Sequence, residues 1–350
     1  MKNIEIILRK VLLKIFLFFS KNHNTNGIPD ISNKKVLIIR LNRIGDALVT
    51  TPLITSLKNN FNPMIYLLAD KKNHFVFKNN NAIEEVIIFD KKKGLRETIE
   101  YLNKMDFDII IDTHTDVSTT VSLLIAYLSA PIKIGFNKEN RKIYTHLVPI
   151  LNTKVFHVID RLLEITNYLL NYKSTLEKYN IDYSISKDAL IHAETFINEH
   201  KDKFILGINI SAGSDARFWG IENYKRLILA LDYDNIQLII LCALSDIEKA
   251  ESISENNIPI YYSESFEIFS AIITKLDILI TPDTSIVHIA SAFKVPVFGL
   301  YVQYDTEDTI WYPYSSDYEI VLTKEATLKN ISFNEVKTKL IPFIEKYHEK

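Results

Sequence analysis

The sequence predicts an α/β protein made of two doubly wound halves, and three observations predict it. Short apolar runs rich in Val and Ile alternate with segments of helical periodicity, the pattern of parallel βαβ units. That rhythm occurs twice, separated by a polar, mostly helical bridge. The 350 residues are too many for one ordinary core and suit two domains of ordinary size. Each half is therefore expected to be a Rossmann-like domain, with a cleft between the two.

The elements follow in order. KKVLIIRL (34–41) is short, apolar and bounded by polar residues, as a buried parallel strand should be. Apolar residues at helical spacing from Ala47 to Leu57 place a helix after it. A second strand is PMIYLLA (63–69). A short helix then leads to strand AIEEVIIFD (82–90), a helix over 94–104, strand FDIIID (107–112), a helix over 117–128 and strand PIKIGF (131–136). Residues 137–200 read as mostly helical and polar, with HVIDRLLEITNYLL (157–170) the clearest periodic stretch. The alternation restarts with strand FILGINI (204–210), a helix over 221–232, strand IQLIILC (236–242) and a helix over 245–255. Strand IPIYY (258–262), helix SFEIFSAIITK, strand LDILIT (276–281), a helix from Ser285 to Phe293 and strand VPVFGLY (295–301) complete it. The expected organisation is a helix plus linker over 1–30, an N-terminal domain over 31–185, a C-terminal domain over 186–330, and a C-terminal helix over 331–350 that can pack back on the N-terminal domain.

Composition excludes several classes. Apolar residues make up 47% and charged residues 24%, which is globular composition. The net charge of −2 supplies no basic field to draw nucleic acid, so anion recognition must be local. The single cysteine, Cys242, excludes an intrachain disulfide framework and fits a reducing compartment. It ends an apolar run and reads as a buried, inert thiol. Eight glycines, no GxGxxG and no P-loop argue against a standard dinucleotide or nucleoside triphosphate site. No histidine pair has metal-ligand spacing such as HExxH. Asp106/Asp108 and Asp232/Asp234 could hold a cation and a sugar diphosphate. However, the first pair precedes a strand and the second sits in a helix-to-strand turn, so both read as loop punctuation.

Residues 4–19, IEIILRKVLLKIFLFF, gather Glu5, Arg9, Lys10 and Lys14 on one half of a helical wheel. The apolar stretch is broken by Lys14 and is too short to span a bilayer. Lys2 before an apolar region suits a secretory signal, but no small-residue cleavage site follows. Two readings stand: a basic amphipathic helix on the cytoplasmic face of the inner membrane, or a helix packed on its own protein or a partner. NHNTNGIPDISN then reads as a flexible connector.

Ligands of open α/β sheets bind outside the carboxyl ends of the strands, and three loops lie there. In the first, Arg40 to Asp46, Gly45 permits a tight turn and close ligand approach. Asp46 is either a cap or first-turn carboxylate or a base for an acceptor hydroxyl. In the second, Ser211 to Trp219, small residues including Gly213 let backbone N–H groups approach a phosphate, and Arg217 supplies a bidentate cation. It also reads as a plain polar loop, with Trp219 anchoring the next helix by packing. In the third, Thr281 to His288, Thr284 or Ser285 can cap a helix whose N–H groups suit a diphosphate. His288 could donate to the same anion, or be a half-buried surface residue.

Together, the stretches VLIIRLNRIGDALVTTPLITSLK (36–58), FDIIIDTHTDVSTTVSLLIAYLSAPIKIGF (107–136), HVIDRLLEI (157–165), ILGINISAGSDARFWGIENYKRL (205–227) and LITPDTSIVHIASAFKVPVFGLY (279–301) resemble the ADP-heptose–lipopolysaccharide heptosyltransferase family, glycosyltransferase family 9. The likeness runs from residue 35 almost to the C-terminus. It implies a GT-B fold and inverting transfer, without metal or cofactor, of heptose from ADP-heptose onto a lipopolysaccharide core or related surface glycan. It implies Asp46 as general base, and Arg217 with Ser211 and Gly213 at the donor diphosphate. Asp283, Thr284, Ser285 and His288 fall on the donor motif, with Asp283 near the sugar, and Asn42, Arg43 and Gly45 lie on the acceptor side. Three positions depart from the pattern: Ser285 replaces a glycine, and Asn42 and Arg43 replace small residues. Other readings are a sugar-nucleotide epimerase or hydrolase on the same fold, and a non-catalytic nucleotide-sugar-binding scaffold.

Overall fold

In the computed structural model, the described residues are 11, 15, 17, 24, 25, 27–172, 178–200, 202–231, 235–255 and 258–348. The chain divides into two compact units, Met1–Asp182 and Tyr183–Lys350. Each is built around one six-stranded sheet.

The first sheet contains β1 (Lys35–Arg40), β2 (Met64–Asp70), β3 (Ile83–Phe89), β4 (Ile109–Asp112), β5 (Ile132–Phe136) and β6 (His146–Val148). Its order is β3-β2-β1-β4-β5-β6, and every pair is parallel. The second contains β7 (Phe204–Asn209), β8 (Ile236–Leu241), β9 (Ile260–Tyr261), β10 (Ile278–Pro282), β11 (Val297–Val302) and β12 (Tyr318–Thr323). Its order, β9-β8-β7-β10-β11-β12, is again wholly parallel. Numbered within each unit, both read 3-2-1-4-5-6, the doubly wound order whose switch point lies between the first and fourth strands.

The central strands are almost completely buried because helices cover both faces, which is why they read as unbroken apolar runs. Leu37 and Ile39 of β1 pack with Leu68, Ile110 and Leu124 in the first unit. Leu206, Ile208, Ile278, Ile280 and Phe298 form the same layer in the second, with Trp219 fully buried beside them. An identical clamp fixes the strand register in both. The Lys35 N–H donates to the Asp108 carboxylate at 2.9 Å while the Asp108 N–H donates back to the Lys35 carbonyl at 3.0 Å. Ile205 and Asp277 repeat this at 2.7 and 2.9 Å. The first Asp-x-Asp pair is thus punctuation, its second aspartate spent on the backbone. The second pair lies outside the described residues.

Three features differ from the sequence reading. β6 lies in a stretch expected to be mostly helical, but three residues are too few to show a period. β12 was not expected, because it is an edge strand following a long loop and carries mixed polarity. The helix expected over 331–350 spans Phe333–His348 and buries Val336, Leu340, Phe343 and Ile344 in the core of the second unit, beyond the bound of 330 expected for that domain. Most of residues 4–19 lie outside the described residues. Of those described there, Val11 and Ile15 are exposed and Leu17 packs against the first core. Among the described residues, no helix is long and apolar enough to cross a membrane.

A Cβ on Gly135 of β5 would run into the ring of Tyr144, which is fully buried and tied by its hydroxyl to Asp112. Gly135→Ala should therefore lower the unfolding free energy by about 1–3 kcal/mol through overpacking. Gly213→Ala, whose Cβ meets nothing within 4 Å, should change it by no more than about 0.5 kcal/mol. Urea denaturation of the two variants checks the contrast.

Candidate active site

In each unit, the sequence-predicted residues fall at the switch point of its own sheet. In the first, β1 delivers the loop Leu41–Arg43 and the short helix Ile44–Leu48. Arg43 occupies the N-cap position without a side-chain cap, and Asp46 lies in the first turn. The Asp46 carboxylate does not cap that helix. Its Oδ1 accepts Arg40 Nη2 at 2.8 Å and Asn42 Nδ2 at 3.3 Å. Asp46 Oδ2 accepts from none of the described residues, and the side chain is 16% exposed. Gly45 is helical and has no positive φ, so the tight turn expected there is absent. Arg43 is exposed and Asn42 half-buried.

Arg40, at the end of β1, has no role that the sequence alone reveals, yet it holds the Asp46 carboxylate in place. It is 3% exposed. Besides Asp46 Oδ1, it donates to the Asp46 carbonyl at 3.1 Å and the Thr113 carbonyl at 2.8 Å. Burial pushes its guanidinium below the ordinary value, while Asp46, Asp112 and Asp116 pull the other way. Asn73, fully buried after β2, donates to the Asn42 carbonyl at 2.8 Å and further fixes the loop.

Beneath the loop, at the end of β4, lies a second group that was not anticipated. Asp112 is fully buried. Its Oδ1 accepts the His114 N–H at 3.0 Å and His114 Nδ1 at 2.7 Å; its Oδ2 accepts Lys138 Nζ at 2.8 Å and the Tyr144 hydroxyl at 2.6 Å. Burial alone would raise this carboxyl's pKa; the charge of Lys138, with the hydrogen bonds from Lys138 and His114, outweighs it and holds it well below the usual carboxylate range. His114 Nε2 accepts the Leu41 N–H at 3.2 Å, which requires the tautomer protonated on Nδ1. A carboxylate ending a buried strand beside the switch point was the available signal.

In the second unit, Asn209 at the end of β7 donates to Thr281 of β10 at 2.9 Å and to the Ser211 carbonyl at 3.2 Å. Ser211 donates its hydroxyl to Asp246 at 2.7 Å, and Asp246 in turn accepts Lys249. Asp246 was not singled out in the sequence. Arg217 Nη2 pairs with Asp283 Oδ2 at 3.0 Å, the two side chains being 34% and 23% exposed. Burial pushes the Asp283 carboxyl up, and Arg217 opposes it. Thr284 takes the N-cap position of the helix Ser285–Ala292, but its side chain does not cap. His288 is buried rather than half-exposed, with its ring 6.0 Å from that of Trp311. Gly213 is under no steric demand. Trp219 anchors its helix as expected, donating to the Ile331 carbonyl at 2.9 Å. Cys242 is buried, and burial pushes its thiol up to about 11. Among the described residues, no three His, Cys, Asp or Glu side chains form a group able to hold a metal ion.

Asp112→Asn would leave Lys138, whose side chain is 5% exposed, without its anion. A stability loss of about 3–5 kcal/mol at neutral pH is expected. Because the folded pKa of Asp112 lies below its unfolded value, its contribution is full above about pH 4 and is lost as pH falls towards the depressed value. Urea titrations at pH 7 and pH 3 should therefore show the gap between wild type and variant narrowing in acid.

The comparisons with known proteins agree with this architecture. Lipopolysaccharide heptosyltransferase 3 of Escherichia coli (strain K12) is 26% identical over 304 residues, covering 78% of this chain and 83% of that protein. The glycosyl transferase family 9 structure from Veillonella parvula superposes with a TM-score of 0.78 at 20% identity, covering 91% of this chain and 99% of that one. The E. coli heptosyltransferase WaaC with ADP-2-deoxy-2-fluoro heptose gives 0.69 at 18% identity, covering 89% and 99%. The two doubly wound units are those of a GT-B fold. The model of glycosyltransferase family 9 (heptosyltransferase) matches residues 95–340, a range that begins beyond Asp46. That match spans more than half of the sequence, and the chain belongs to glycosyltransferase family 9, as a glycosyltransferase of the heptosyltransferase family.

Proposed function

We propose that the chain transfers heptose from ADP-heptose onto a lipopolysaccharide core, with inversion and without a metal, and that Asp46 is the general base. The observation that carries the assignment is the state of its carboxylate: Oδ1 is gripped by Arg40 and Asn42, and Oδ2 is left without a donor among the described residues. A carboxylate held on one oxygen keeps its orientation while the other can accept a proton. The donor is proposed from the family and from the neighbour solved with an ADP-heptose analogue.

The nucleotide sugar would lie on the second unit. Its diphosphate would take the N–H groups at Thr284 and Ser285, together with Arg217, and Ser211 and Gly213 would line the adjoining loop. Arg217 already holds a carboxylate, so the diphosphate replaces or shares that partner and leaves Asp283 to the sugar. The acceptor would lie on the first unit. There the exposed Arg43 offers a cation to an acidic sugar or phosphate, beside Asn42 and Gly45. Asp46 takes the proton of the acceptor hydroxyl as that oxygen attacks the anomeric carbon. The charge that develops on the departing ADP is met by Arg217, His288 and backbone N–H groups. A cytoplasmic setting at the inner-membrane face, through residues 4–19, is part of the same proposal.

Asp46→Asn keeps an oxygen for Arg40 and removes the base. It should lower kcat by about 10²–10⁴-fold and leave ADP affinity nearly unchanged. Full turnover by a folded variant would refute the assignment. Arg217→Ala should weaken ADP binding about 10- to 100-fold, as loss of a charged hydrogen bond predicts. The protection that ADP gives against thermal unfolding measures this.

A further inference from the structure

The loop that leads to Asp46 is fastened to the loop after β4 by three links, two of them buried. Arg40 Nη1 donates to the Thr113 carbonyl at 2.8 Å, the Thr113 hydroxyl donates to the Ile39 carbonyl at 2.9 Å, and the Leu41 N–H donates to His114 Nε2 at 3.2 Å. The first two use the ordinary reach of strand ends. The third depends on a titratable side chain held in one tautomer, because an imidazole nitrogen can accept an N–H only when it carries no proton. Asp112 imposes that tautomer: it takes Nδ1–H and has no spare capacity to turn elsewhere, since its two oxygens accept four donors. His114, Asp112 and Thr113 are all fully buried.

We infer that His114 is a positioning residue for the transfer reaction: oriented by Asp112, it fixes the loop after β1, and with it the angle at which Asp46 meets the acceptor hydroxyl. The inference rests on Asp46 being the base. Its effect should be on turnover rather than donor binding, since the donor residues belong to the second unit. A small misplacement of a catalytic group is costly: about 1 Å can lower a rate about 10²-fold. A purely structural role would lower stability alone and leave each folded molecule as active as wild type.

Two substitutions separate these cases. Glutamine at 114 can place its carbonyl oxygen where Nε2 lies and keep the Leu41 N–H bonded. Asparagine reaches only as far as Nδ1; it keeps a donor for Asp112 and leaves Leu41 without an acceptor. Turnover would be followed as ADP released from ADP-heptose in the presence of lipopolysaccharide core, per folded molecule, with ADP affinity and amide exchange at Leu41 measured alongside. His114→Gln should stay within about threefold of the wild-type kcat, whereas His114→Asn should fall about 10- to 100-fold. ADP affinity should be the same in both, and the Leu41 amide should exchange fast only in His114→Asn. Equal kcat in the two variants would overturn the inference, as would wild-type turnover by His114→Asn. Should His114→Asn fail to fold, His114→Gln decides alone: a folded protein with a protected Leu41 amide and a kcat reduced more than about tenfold contradicts the inference. The parallel Asp46→Asn measurement isolates the other possibility, because full turnover there removes the base assignment whatever Leu41 exchange reports.

Discussion

A fully buried carboxylate is tolerable only where hydrogens converge on it. Asp112 meets that condition with four, drawn from His114, Lys138 and Tyr144. This carboxylate fixes the direction of everything around it. Lys138 is brought to it from beyond β5, and Tyr144 lies against Gly135 because its hydroxyl must reach Asp112. His114 is forced into the tautomer that accepts from Leu41, and Leu41 belongs to the loop that presents Asp46. The order of causes runs from a desolvated charge, through a side-chain tautomer, to a backbone segment, and from there to the proposed chemistry.

The second unit has the same strand order but solves the same problem with neutral groups. Asn209 and Thr281 join the two strands at the switch point through an amide and a hydroxyl. Its charges lie in more exposed positions, as the Arg217–Asp283 pair and the Ser211–Asp246–Lys249 chain. The contrast suits the division of labour proposed for the units. A base must keep one geometry, which a buried network of charges enforces. A site for a charged diphosphate needs a cation whose partner can be exchanged, and a partly exposed ion pair costs little to rearrange.

Much of this was legible in the sequence. The apolar runs, their β-branched content and their repetition revealed both sheets, because buried parallel strands carry that signature in their composition. The loops holding Asp46, Arg217 and Asp283 were legible as well, since strand ends at a switch point can be counted along the chain. The edge strands His146–Val148 and Tyr318–Thr323 were not, being short or mixed in polarity. Nor were Arg40, Asp112, His114 and Lys138, whose significance lies in contacts between strand ends far apart in sequence. Asp46 shows the limit most clearly. Its position alone reads as a helix cap, and only its pairing with Arg40 shows a carboxylate turned away from the helix end.

The measurement that bears most directly on the account is the dependence of ADP release on acceptor. With ADP-heptose as donor and a chelator present, ADP should appear only when lipopolysaccharide core is added, and in a one-to-one ratio with new glycosidic bonds. ADP released at the same rate without acceptor would contradict this, because Asp46 would then be serving water or no nucleophile at all.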